Sequence, residues 1–141
     1  MRENNKSMSN TLSDKLSITV DENERELFMS FGLLNELTTI IGDPARVSAV
    51  AVDPELRTEV LCAALAERKR SGKIIKAVDF DDLDISVEDV ENVISWVMEH
   101  SLSFFVRSLR KVVDLTKAHQ GEMTDLASSL AGSPSSPSSA A

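Results

Sequence analysis

Four aspartates crowd a short stretch of this chain, Asp79, Asp81, Asp82 and Asp84, and dense carboxylates are what hard cations such as calcium select. A calcium loop opening at Asp79 would need glycine at its sixth position for the sharp turn and glutamate at its twelfth for bidentate ligation. The chain has Asp84 and Val90 there, so that motif fails. The run reads instead as a solvated acidic loop whose charge favours the N-terminus of the helix that follows. His100 and His119 are the only histidines, far apart on one expected helix and without Cys, Asp or Glu at metal-ligand spacing, which argues against zinc. Glu99 adjoins His100 but points about 100° away around a helix. Cys62, the single cysteine, cannot close an internal disulfide and sits in an apolar run, so it is expected to be a small buried hydrophobe. There is no G-x-S-x-G elbow, phosphate loop or dinucleotide glycine pattern. The expectation is a chain that is not an enzyme and takes neither metal nor cofactor.

Charge placement says more. Arg68, Lys69, Arg70, Lys73 and Lys76 gather beside the lone acid Glu67, whereas Asp79 to Glu99 carries eight acids and no Lys or Arg. Blocks of opposite sign can steer protein association, including that of copies with one another. The basic five, with Asp79, Asp81, Asp82 and Asp84, are therefore candidate electrostatic patches. A net charge of -8 repels phosphate backbones, and neutralising phosphates supplies most non-specific nucleic-acid affinity. Nucleic acid is thus an unfavourable partner. No stretch approaches the roughly 20 apolar residues that span a bilayer, and the polar first residues are followed by no secretory apolar region. A reducing cytoplasm fits these features.

The elements that must carry these groups follow from periodicity and caps. Low aromatic content leaves Leu, Val, Ile, Ala and Met to build the core, which favours a mainly α fold. Helices are expected at about 22–41, 44–50, 54–70 and 87–118. The first would be capped by Asp21 and closed by Gly42, the next two opened by Asp43-Pro44 and Asp53-Pro54, and the third closed by Gly72. Ser86 with Asp89 is a capping box for the last. One small two-stranded ribbon would pair 16–20, LSITV, with 74–80. Residues 1–15 read as a flexible leader, 16–119 as one domain, and 120–141 as a weakly structured to disordered Ser/Pro/Ala tail.

The last helix is longer than a compact domain of this size needs. Its apolar stripe runs through Val90, Val93, Val97, Leu102, Phe105, Leu109 and Val113 and fades near His119. Trp96, Phe104, Phe105 and Val106 cannot all face one stripe, so some apolar surface remains for a partner helix. Trp96, Leu102, Phe104, Phe105, Val106 and Leu109 are the candidate partner-binding face.

Taken together, the LSITVDENE opening, the ELFMSFGLLNELTTIIGD helix, the DPELRTEVLCAALAERKRSGKI segment, the ISVEDVENVISWVMEHSLSFFVRSLRK helix and the Ser/Pro/Ala tail resemble the tail assembly chaperones of long-tailed bacteriophages. They are most similar to the shorter product of the frameshifted chaperone gene. The resemblance covers Leu16 to Ala141 and carries no catalytic motif. It implies a largely helical protein of the host cytoplasm that coats the tape-measure protein to keep it soluble. A longer frameshifted form would recruit tail-tube subunits. Two other readings stay open from the residues: a structural tail or head-completion protein of the virion, and a small acidic regulator or inhibitor.

Overall fold

The computed structural model describes residues 12–140, with the side chains of 131–140 outside that description. It falls into two units, Met1–Phe105 and Val106–Ala141, taken separately below. The class is the expected one, mainly α with small β ribbons.

The first unit opens on an antiparallel hairpin. Strand β1 (Lys15–Val20) pairs with β2 (Asn23–Phe28), setting Leu16 opposite Leu27, Ile18 opposite Arg25 and Val20 opposite Asn23. Asp21 and Glu22 form the two-residue turn with φ of 53° and 68°, the backbone that a primed turn between twisted strands demands. This corrects the expected helix over 22–41. Arg25, Leu27 and Met29 are half-buried or buried, while Glu24 and Glu26 before Leu27 are exposed and Phe28 is only half-buried, a period of two. Leu27 also lies at helical spacing from Phe31 and Leu34, so the apolar pattern alone fits both periods. The expected pairing of 16–20 with 74–80 is corrected with it. A hairpin closes two residues of loop, whereas the distant pairing would close a far longer one at greater entropic cost.

Helix α1 (Phe31–Ile41) begins at Ser30, whose Oγ accepts a hydrogen bond from Leu33 N at 3.1 Å. It ends at Gly42, whose N–H reaches the Thr38 carbonyl at 2.9 Å. Both Asp-Pro pairs cap the turn that follows them, but the first opens no continuous helix, which corrects the one expected over 44–50. Asp43 Oδ1 accepts from Ala45 N at 2.9 Å and starts a 3-10 turn at Pro44–Arg46, followed by the short α2 (Ala49–Val52). Asp53 Oδ1 accepts from Glu55 N at 3.0 Å and starts α3 (Pro54–Leu65).

Helix α3 stops at Leu65, not near residue 70. Ala66 turns extended, and β3 (Glu67–Arg68) leads into a second ribbon with β4 (Ile74–Lys76). Gly72 therefore closes no helix; it lies in the turn between these strands at φ 104°. Its bare Cα packs on Gly32 at the start of α1, where a Cβ would come within 2.8 Å of the Gly32 Cα.

After a 3-10 turn at Phe80–Asp82, helix α4 (Val87–Ala140) opens at Ser86, whose Oγ accepts from Asp89 N at 3.0 Å. Only that half of the capping box forms: Asp89 Oδ2 instead accepts from Thr19 N of β1 at 3.0 Å, tying the hairpin to the helix start. The core collects Leu33, Leu37 and Ile41 of α1, Val60 and Leu65 of α3, and Val93 and Val97 of α4, all almost without exposure.

In the second unit α4 is helical through 120–130, which corrects the weak structure expected there. The rest of the tail expected over 120–141, residues 131–141, falls outside the full description.

Candidate partner-binding surface

Trp96 heads the expected binding face, yet the fold uses it internally. It is buried, its Nε1 donates to the Ser13 carbonyl at 2.9 Å, and its ring meets His100 edge to face at 5.4 Å. His100 is buried as well, with Nε2 at 2.8 Å from the same carbonyl oxygen, so it is the donor there. Trp96 is thus corrected to a core residue: once the segment before β1 returns across α4, both its ring and its N–H are satisfied. That segment also makes the Met29 N to Asp14 O bond at 2.7 Å, so Ser13 to Lys15 are held where a loose leader was expected. The leader's first eleven residues lie outside the described residues.

Of the other face residues in the first unit, Leu102 is exposed, Phe104 is half-buried, and Phe105 is half-buried against the core. Cys62, expected to be buried, is exposed, because the buried face of α3 passes through Val60, Leu61, Ala63, Ala64 and Leu65 and leaves position 62 outward.

The second unit holds the rest of the face and extends it. Val106 and Leu109 are exposed, and so is every described side chain from there to Leu130 except half-buried Ser108. Eight large apolar side chains are among them: Val106, Leu109, Val112, Val113, Leu115, Met123, Leu126 and Leu130. The apolar run does not fade near His119. Alternating steps of three and four link Val106, Leu109, Val113, Thr116, Gln120, Met123, Ala127 and Leu130, the spacing of a seam that faces another helix. Thr116 and Gln120 interrupt the apolar character at its middle, which is why a search for hydrophobic residues alone stops early. A count of the 3.5-residue period across the gap would have found it.

The proposed electrostatic patches divide by role. Arg68 is internal: its guanidinium bonds the carbonyls of Ala63 at 2.8 Å and Gly72 at 2.7 Å and pairs with Glu36 Oε1 at 2.7 Å. Arg25 of β2 reaches the Ala66 carbonyl at 3.0 Å, so two guanidiniums cover the carbonyls left open at the end of α3. Burial lowers the pKa of Arg25, with the Glu67 carboxylate opposing the shift; an arginine so placed stays charged at any ordinary pH. Arg46 caps α1 in the same way through the Ile41 carbonyl at 2.8 Å. Arg70 lies over the Phe28 ring at 4.2 Å from its centroid. Arg68 is therefore corrected from a free surface charge to a clamp, while Lys69, Lys73 and Lys76 remain exposed.

The acidic run is built in part by turns. Asp79 Oδ1 caps the 3-10 turn through Asp81 N at 3.1 Å. Asp84 exchanges two hydrogen bonds with Asp21, from Asp21 N at 2.8 Å and to Asp21 Oδ1 at 3.1 Å, and Ile85 bridges Val20. Asp81 and Asp82 are exposed. Among the described residues no group of three or more His, Cys, Asp or Glu side chains could hold a metal ion, and no helix is long and apolar enough to cross a membrane.

No protein-family model, curated protein or solved structure matches this chain.

Proposed function

We propose that this protein is a non-catalytic tail assembly chaperone of a long-tailed bacteriophage, which binds the tape-measure protein in the host cytoplasm and keeps it soluble while the tail is built. The observation that carries this reading is the exposed apolar seam from Val106 to Leu130. A tape-measure protein is a long helix that needs its apolar face covered before assembly, and a helix with a seam at the same period can cover it by side-chain interdigitation. The resemblance in the order of segments supports the same reading, with tail-tube subunits as the later partners of a longer form.

Co-expression tests it. A phage tape-measure protein should move from the insoluble to the soluble fraction when it is made together with this chain, and the pair should co-purify. An unchanged soluble fraction would contradict the proposal. Stoichiometric copies of this chain in purified virions would favour a structural tail or head-completion protein instead.

A further inference from the structure

We infer that, without a client, helix 106–130 pairs with the same segment of a second copy in antiparallel orientation. This concerns the free chain and does not depend on the chaperone reading. Antiparallel alignment centred near Ala118 sets Val106 opposite Leu130 of the second copy, Leu109 opposite Ala127 and Val113 opposite Met123, so that the large Leu109 meets the small Ala127 and the medium Val113 meets the longer Met123. It also sets Thr116 opposite Gln120, so a hydroxyl meets an amide and the two polar seam residues satisfy each other at the centre. A buried polar layer of this kind fixes register. A parallel pair would instead face Ala127 with Ala127, leaving a gap, and Leu109 with Leu109.

The flanks favour the same orientation. One edge of the seam carries Val112, His119 and Leu126, all exposed, and the other carries Arg110, Lys117 and Thr124. In an antiparallel pair like edges meet, so Val112 covers Leu126 of the second copy with the two His119 side chains between, while Arg110 meets Thr124 and the two Lys117 side chains extend apart into water. In a parallel pair each apolar edge would meet a basic one. Charge along the helix adds to this. Within the segment Arg107, Arg110, Lys111 and Lys117, against the single acid Asp114, precede residue 118, and Glu122 and Asp125 follow it, with no Lys or Arg from Ala118 to the end of the chain. Antiparallel alignment lays the basic half along the acidic half; parallel alignment lays basic on basic.

The test uses the full chain with Cys62→Ser. Sedimentation equilibrium at micromolar concentration should give a dimer, and Val113→Glu should return it to a monomer with the Trp96 emission of the folded first unit unchanged. Leu109→Cys and Ala127→Cys variants, mixed and oxidised, should form a disulfide-linked dimer, while neither variant alone should do so. A monomeric parent chain overturns the inference. So does crosslinking of Leu109→Cys with itself, which would mean parallel pairing, or a dimer that survives Val113→Glu, which would place the contact elsewhere.

Discussion

Trp96 and Ser13 are joined by a hydrogen bond from the indole N–H to a backbone carbonyl at 2.9 Å, across a sequence separation of 83 residues. The bond closes the segment before β1 over α4, and it makes the chain's only tryptophan a reporter of the core. Trp96→Phe keeps an aromatic ring, smaller than the indole, and removes the donor. It should lower unfolding stability by about 1–2 kcal/mol in urea denaturation followed by circular dichroism, the range for a lost buried bond with slight loss of packing. Binding to any partner should be unchanged, because the side chain offers no surface.

Arg68 and the lysines beside it should separate sharply. Arg68→Ala removes a guanidinium that serves two carbonyls and the Glu36 carboxylate, and should cost about 3 kcal/mol in the same assay. Lys69→Ala, at an exposed position, should change stability by less than about 0.5 kcal/mol. Equal effects would mean that the clamp on the end of α3 contributes little.

Gly72 and Gly32 set the approach of the β3–β4 turn to α1. A Cβ at position 72 would lie 2.7 Å from Ser30 Oγ and 2.8 Å from the Gly32 Cα, at a φ of 104° that alanine adopts with strain. Gly72→Ala should therefore lower stability by about 1–3 kcal/mol, read as a fall in the melting temperature. Since Ser30 Oγ is also the cap of α1, amide exchange at Leu33 should quicken in this variant.

Glu22 holds a φ of 68° at an exposed turn position, where glycine carries no steric penalty. Glu22→Gly should raise stability by about 0.5 kcal/mol, the relief of strain less the extra entropy that glycine loses on folding. A fall in melting temperature would show that the Glu22 side chain has a partner role that outweighs the strain.

Sequence made the caps legible because capping is local. Asp43, Asp53, Ser86 and Gly42 act where the residue types say they should. The β1–β2 hairpin was hidden because its turn is Asp21-Glu22, not the Asn-Gly or Asp-Gly that announces such a turn, and because Leu27 suits two periods at once. The end of α3 was misplaced for a related reason. Basic residues near a helix end read as dipole partners, but here Arg68 and Arg25 reach the last carbonyls from β3 and β2, a tertiary arrangement that no local window contains. In the binding face, Leu109 and Val106 were visible as excess apolar residues. The burial of Trp96 depends on a segment far away in sequence, which no local pattern reveals, and Met123 to Leu130 stand behind two polar seam residues that break the apolar run.

The central claim is that the working surface is the seam of helix 106–130. The most direct measurement is the soluble fraction of the tape-measure protein co-expressed with the parent chain and with Val113→Glu/Met123→Glu, which places two charges in the middle of that seam. The parent chain should solubilise the client and the double variant should lose most of that effect while its first unit melts at the parent temperature. Full solubilisation by the double variant would contradict the account and move the partner surface to the first unit.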